Sequence, residues 1–200
     1  MADISGFFTG TEMPDANWWE ALWPDPAGVL SAVGLEAGMN TVDLCCGDGW
    51  FTLPMAKVAR HVTAVDIDAH LLGLARKRVQ DAGVTNCDFK EGDAYDLPSM
   101  VKSPADFVFL ANVYHGVPDK PRFIRAMAAA LVPGGKFAVV NWHARPREET
   151  KVLDLPRGPR TELRMTPEQT IGSAKSPEMK FLRVVEVPPY HYAVVWERVS

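Results

Sequence analysis

The chain has 200 residues, 47% of them apolar, and a formal net charge of −4, which fits a single soluble unit with enough apolar surface for a substantial core. That charge excludes an overall basic field of the kind that draws in nucleic acid or acidic membranes. Three cysteines form no disulfide framework, and the adjacent pair Cys45 and Cys46 is geometrically unsuited to a bond, so a reducing compartment and the cytoplasm are expected. With Asp3 early and no basic run before a long apolar stretch, no signal peptide is expected, nor is any span of membrane length.

Residues 1–34 are irregular. Met13-Pro14-Asp15-Ala16-Asn17-Trp18-Trp19 opens a short helix through Trp23, Pro24 and Pro26 break it, and a second helix runs from Ala27 to Val33. A regular alternation follows. Thr41–Leu44 reads as a strand, Trp50–Ala59 as a helix and Val62–Asp66 as a strand. In Ala69–Ala82, Leu71, Leu72, Ala75 and Val79 share one face at helical spacing, and Gly83 suits the C-cap. Asn86–Lys90 is a short strand. Ala105–Leu110 is a continuous apolar run of the kind a strand buried on both faces shows. Pro121–Leu131 is a helix stopped by Pro133-Gly134-Gly135, and Lys136–Trp142 is a strand. Residues 144–165, rich in Pro and Arg and without a period, read as a long loop of the length that usually signals function. Thr166-Pro167-Glu168-Gln169 is a capping-box sequence, and Phe181–Val187 and His191–Val199 are two final strands joined through Pro188-Pro189. The expected fold is α/β: a Rossmann-like, doubly wound, mostly parallel seven-stranded sheet with one antiparallel strand near its edge.

The most informative stretch is Val42-Asp43-Leu44-Cys45-Cys46-Gly47-Asp48-Gly49, a strand that ends in a glycine turn and opens a helix. Such a turn brings bare backbone and free helix N–H groups close to a nucleotide-like ligand. The second strand ends at Asp66, nineteen residues after Gly47, where a carboxylate can accept from both hydroxyls of a ribose. The third leads to Glu91-Gly92-Asp93-Ala94, and Asp93 can accept from an exocyclic adenine amine. Carboxylates at three adjacent strand ends, Asp43, Asp66 and Asp93, suit a positively charged cofactor and repel a pyrophosphate. A dinucleotide site is the nearest rival, but its third glycine position is Thr52.

Taken with Val65-Asp66-Ile67-Asp68 and Leu131-Val132-Pro133-Gly134-Gly135, these segments resemble the class I S-adenosylmethionine-dependent methyltransferases over about residues 38–142. The resemblance implies that Asp43 and the turn Cys45, Cys46, Gly47 to Gly49 hold the methionine part of S-adenosyl-L-methionine. It implies further that Asp66 holds the ribose, Asp93 with Ala94 the adenine, and that Ile67 packs on the adenine face. The family usually has Gly where this chain has Cys45. On this reading residues 1–200 form one methyltransferase domain: an N-terminal lid or helical segment over 1–34, a cofactor-binding core over 35–143, and a long loop, helix and final strands over 144–200. The resemblance leans toward the branch acting on small molecules, quinones among them.

In that family the acceptor site forms at the ends of the fourth and fifth strands. The candidates there are Asn112 and His115, Asn141 and His143, with Tyr190 at the pocket rim. His115 is the leading candidate base, because a neutral imidazole titrates near working pH. His115, His143 and His191 lack ligand spacing, so no metal is expected. Val187-Pro188-Pro189-Tyr190 lies too late in the chain, and opens with the wrong residue, to match the Pro-Pro-Tyr motif of adenine-directed methyltransferases. Trp18, Trp19 and Trp23 read equally as a lid over the site or as anchors of a helix to the core. Residues 145–183 hold nine Lys or Arg against six Asp or Glu. They make a solvated surface, or the arginines Arg145, Arg147, Arg157, Arg160 and Arg164 bind a carboxylate or phosphate of the acceptor. The expected partner is a small-molecule acceptor, with no nucleic acid and no membrane, and the chain a monomer or homodimer. The alternatives are an RNA or protein methyltransferase that uses the basic segment, or a non-catalytic binding module.

Overall fold

The computed structural model describes Phe8, Met13, Pro14 and residues 16–199. The reading of residues 1–7, with Asp3, lies outside the described residues. In chain order the elements are α1 (Ala16–Leu22), α2 (Pro26–Val33), β1 (Asn40–Leu44), α3 (Thr52–Ala56), β2 (His61–Asp66), α4 (Ala69–Asp81), β3 (Cys87–Glu91) and α5 (Leu97–Met100). They continue with β4 (Ala105–Ala111), α6 (Lys120–Ala130), β5 (Leu131–Trp142), β6 (Lys151–Val152), β7 (Leu155–Pro156), α7 (Pro167–Ser173), β8 (Met179–Val187) and β9 (His191–Arg198).

Seven strands form one sheet in the order β3-β2-β1-β4-β5-β9-β8, while β6 and β7 make a separate two-stranded ribbon. The pairs β1–β2, β2–β3, β1–β4 and β4–β5 are parallel, and β9 runs antiparallel to both neighbours, one place in from the edge. Strand order reverses between β1 and β4, so the crevice for a ligand opens at their carboxyl ends. The central strands are buried on both faces. Along β4, Val108 and Leu110 join one core with Phe123, Ile124 and Met127 of α6, and Phe107 and Phe109 join a second core with the tryptophans of α1 and with α2 and α3. Period-two alternation between two apolar layers is why this strand carries no polar face.

Local sequence accounts for most element ends. Asp25, Asp68 and Asp119 cap α2, α4 and α6 through side-chain acceptance of backbone N–H groups. Both halves of the capping box form at α7, between Thr166 and Gln169.

Three expectations are corrected. The helix expected over Trp50–Ala59 is regular only over Thr52–Ala56, because Asn86 Nδ2 donates to the carbonyls of Ala56 (2.9 Å) and Ala59 (3.0 Å) and satisfies the helix end from outside. Pro133-Gly134-Gly135 does not precede the fifth strand but bulges out of it. Leu131 pairs with Ala105, pairing resumes at Lys136 with Phe107, and Gly134 sits between them at φ 79°. Residues 144–165 are ordered around the β6–β7 ribbon and two short 3-10 turns. A turn capped by Asp93 and the short α5, with Pro98 in its first turn, were not anticipated from the sequence.

Candidate active site

The glycine turn is held by the residues expected to bind across it. Gly47 N–H donates to Asp66 Oδ2 at 2.8 Å, Asp68 N–H donates to Asp66 Oδ1 at 2.9 Å, and Gly49 N–H closes the turn on the Cys46 carbonyl at 3.0 Å. Asp66 therefore fixes the turn and keeps a second lone pair on each oxygen for a ligand. Gly49 is required twice over. Its φ is 83°, and a Cβ there would meet the Ala75 backbone of α4 at 2.9 Å. Cys45 occupies the left-handed region at φ 56°, which gives a steric reason for the family's usual glycine at this place.

Asp43, Cys45, Cys46, Gly47, Asp66, Ile67, Asp93 and Ala94 line one cavity at the carboxyl ends of β1, β2 and β3. Of the sequence-derived cofactor residues, only Gly49 lies behind its wall, packed on α4. The cavity also takes Asp48 of the same turn, and Trp50, Phe51 and Leu71, which the motif reading had not named, and the start of the chain contributes Phe8, Met13 and Trp19. An aromatic pair just after a glycine turn was the sequence signal available for Trp50 and Phe51.

Its electrostatics are strongly acidic. Among the described residues, no Lys or Arg lines it. Arg78 of α4 pairs with Asp48 from behind the turn, so Asp43, Asp66 and Asp93 carry the charge offered to the cavity. Asp43 is 3% exposed and accepts a hydrogen bond from Thr52 Oγ1 at 2.5 Å. Burial above all, with repulsion from Asp66 and Asp48 and despite the Thr52 bond, raises its pKa to about 7. Burial also raises that of Asp66, against the pull of its backbone N–H partners. The thiols of Cys45 and Cys46 are pushed well up, by burial first and then by the surrounding carboxylates, so both are neutral filler. Desolvated carboxylates without a lining cation suit a cationic ligand, and bare backbone at Gly47 lets it approach closely. The donor set fits a cationic nucleoside such as S-adenosylmethionine.

A second cavity of about 650 Å³ adjoins the first and shares Met13, Trp19 and Asn112 with it. Asn112 follows β4 at φ 62°, and among the described residues both polar atoms of its side-chain amide are buried without a partner. His115, 7% exposed, lines this second cavity with Trp18 and Trp142. His143 and Tyr190 line neither cavity. His143 Nε2 is 3.0 Å from Glu186, and Tyr190 stacks on Trp142 (6.1 Å between centroids, 13° between planes) while its hydroxyl donates to the Lys151 carbonyl. Asn141 is buried within β5. His191 is clamped between Trp23 (4.5 Å) and Trp142 (4.1 Å), and its pKa is driven well down by burial, then by Arg164 and His143.

The two readings of the tryptophans both apply. Trp18, Trp19 and Trp23 are each under one-tenth exposed, so they anchor α1, yet Trp19 walls both cavities and Trp18 one.

The arginines divide. Arg147, Arg157 and Arg160 line the second cavity, and Arg145 is exposed. Arg164, 6% exposed, is structural. It donates to the carbonyls of Pro159 (3.1 Å) and Arg157 (2.8 Å) and to Thr150 Oγ1 (2.9 Å), and its guanidinium lies 5.0 Å from the Trp142 ring. Gly158, at φ 82°, lets this loop lie flat on the same indole, for a Cβ would meet Trp142 at 2.6 Å.

A doubly wound sheet with a glycine turn after β1 and carboxylates at the next two strand ends is the class I methyltransferase arrangement, and independent comparisons agree. Residues 41–135 match the family model described as a methyltransferase domain. A ubiquinone biosynthesis O-methyltransferase of Xanthomonas euvesicatoria is 32% identical over 139 residues, spanning 65% of this chain and 58% of that protein. A demethylmenaquinone methyltransferase of Listeria welshimeri is 31% identical over 115 residues, 56% of this chain and 48% of that protein. The chain thus spans only about half the length of these relatives. In fold it is similar to a SAM-dependent methyltransferase of Aquifex aeolicus, with a TM-score of 0.74 at 22% identity over 92% of this chain and 94% of that one. It is also similar to the N-methyltransferase NodS of Bradyrhizobium japonicum bound to S-adenosyl-L-homocysteine, with a TM-score of 0.64 at 15% identity over 85% of this chain and 83% of that one. Residues 41–135 thus carry a methyltransferase domain, and the fold is the one shared with S-adenosylmethionine-dependent methyltransferases. Among the described residues no helix is long and apolar enough to cross a membrane.

Proposed function

We propose that this protein moves a methyl group to a small-molecule acceptor by in-line displacement, with the cofactor in the acidic cavity and the acceptor in the cavity beside it. The observation that carries this reading is the shared boundary. Met13, Trp19 and Asn112 belong to both cavities, so ligands seated in the two meet there. Support for a small acceptor comes from the curated relatives, named for ubiquinone and menaquinone methylation. The second cavity also falls within the roughly 300–1,000 Å³ usual for small-ligand sites.

When bound, the cofactor supplies an electrophilic methyl on a sulfonium. The rest is the protein's own work, chiefly positioning, which can account for a large share of the acceleration. Asp43, Asp66 and Asp93 seat the cation and fix its orientation. Trp18, Trp19 and Trp142 wall the acceptor and keep water out. The unpartnered amide of Asn112 orients the acceptor at the junction. His115 takes the proton that an acceptor hydroxyl loses. Tyr190 and His143 act from behind, Tyr190 by bracing Trp142, and neither touches substrate.

The test combines two measurements. Calorimetric titration of S-adenosylhomocysteine into Asp66→Ala should show an affinity loss of about a hundredfold, since charge-assisted bonds to ribose and the clamp on the glycine turn go together. Mass spectrometry of wild-type protein with S-adenosylmethionine and a panel of phenolic and quinol acceptors should show a methylated product. Unchanged affinity in Asp66→Ala sinks the site assignment.

A further inference from the structure

Resting on the methyl-transfer reading, we infer that the acceptor is a flat ring bearing a carboxylate or phosphate monoester, held by Arg157 and Arg160 over an indole-lined floor. The two cavities carry opposite charge. Among the described residues, no Asp or Glu lines the second one, whereas Arg147, Arg157 and Arg160 all do. Three guanidinium groups around one space repel one another unless a ligand brings the counter-charge.

The arginines differ in what they have left to give. Arg147 Nε is committed to the Gly158 carbonyl at 3.0 Å. Among the described residues, Arg157 Nε is buried with no partner. Among the described residues, Arg160 pairs with the exposed Glu162, 3.3 Å from its Nε. The loop presenting them is pinned by Arg164, which grips the Arg157 and Pro159 carbonyls, so the backbone that carries the cations is held in place before any ligand arrives. Burial first, and then the charge of Arg147, lowers the pKa of Arg164 to about 10, against the opposing pull of Glu148. A guanidinium fork matches a carboxylate or phosphate in two-point geometry, and indole faces suit an aromatic ring. An anionic acceptor is also repelled by the carboxylates next door, while the cationic cofactor is drawn to them, so each ligand is steered to its own cavity.

The experiment is competitive calorimetry on the full chain saturated with S-adenosylhomocysteine, using benzoate, phenyl phosphate, benzamide and a short oligouridylate as probes. Benzoate or phenyl phosphate should bind at least about ten-fold more tightly than benzamide, and which anion leads separates a carboxylate from a phosphate acceptor. In Arg157→Gln/Arg160→Gln that preference should vanish, while affinity for S-adenosylhomocysteine stays within about two-fold. If the double variant loses S-adenosylhomocysteine binding through misfolding, the exposed Arg160→Gln alone decides, with a drop of about three-fold for the anion. Equal binding of benzamide, no binding of either anion, or a preference that survives the substitutions overturns the inference. So does an oligouridylate that binds more tightly than phenyl phosphate, which would mark a polymer groove. Failure of the wild-type chain to bind S-adenosylhomocysteine would instead overturn the methyl-transfer reading beneath it.

Discussion

The two cavities stand side by side but are made of different material. The acidic one is built at strand ends, where hydrogen-bond register sets each carboxylate in place: Asp43 pairs beside Ala64, and Asp66 beside Glu91. The basic one is built from α1, the turn after β4 and the loop over residues 145–164, held by side chains rather than by a ladder. The difference teaches that a sheet edge can fix a common cofactor while the loops beside it remain free to set the acceptor.

The largest effect that separates the two should come from Trp142→Ala. This indole is 2% exposed and floors the second cavity without reaching the first. Its removal should cost about 3–5 kcal/mol of stability, read by urea unfolding. Folded variant should still bind S-adenosylhomocysteine as the wild type does, and a parallel loss there would show that the cavities are one energetic unit.

Acidity should divide them next. Asp43 holds its proton up to about pH 7 in the folded chain, against 3.8 ordinarily. Between those values the native state binds a proton that the unfolded state has released, so Asp43's contribution to stability falls as pH rises and levels off above about 7. Binding a cation needs the ionised form, so S-adenosylmethionine affinity should climb about ten-fold from pH 6 to pH 8, with proton release visible as a buffer-dependent enthalpy. Asp43→Asn should flatten that profile, and a profile that stays steep in the variant would assign the proton elsewhere. Smallest of all, Cys45→Gly should relieve a left-handed backbone at φ 56° and raise stability by at most about 1 kcal/mol, seen as a higher melting temperature. A lower melting temperature would mean that the thiol's packing outweighs the strain.

Legibility followed the same divide. Strand–turn–helix periodicity and carboxylates at fixed offsets are local signals, so Asp43, the glycine turn, Asp66 and Asp93 could be read without a structure. The second cavity is assembled from residues over a hundred positions apart, and nothing near Arg164 in the chain says that it would be buried under a network while Arg157, seven residues earlier, lines a cavity. The position of Asn112 straight after a buried strand was legible, but not its left-handed backbone or its unpaired amide. Helix length at α3 escaped because its stop, Asn86, lies thirty residues beyond Ala56.

Met13 and Trp19 front both chambers. Whatever shift one occupant imposes on that common partition, the other must feel, and thermodynamic reciprocity then obliges the two affinities to change by the same factor. Spent cofactor and methylated product would accordingly leave as a coupled pair, each loosening or tightening the other's hold.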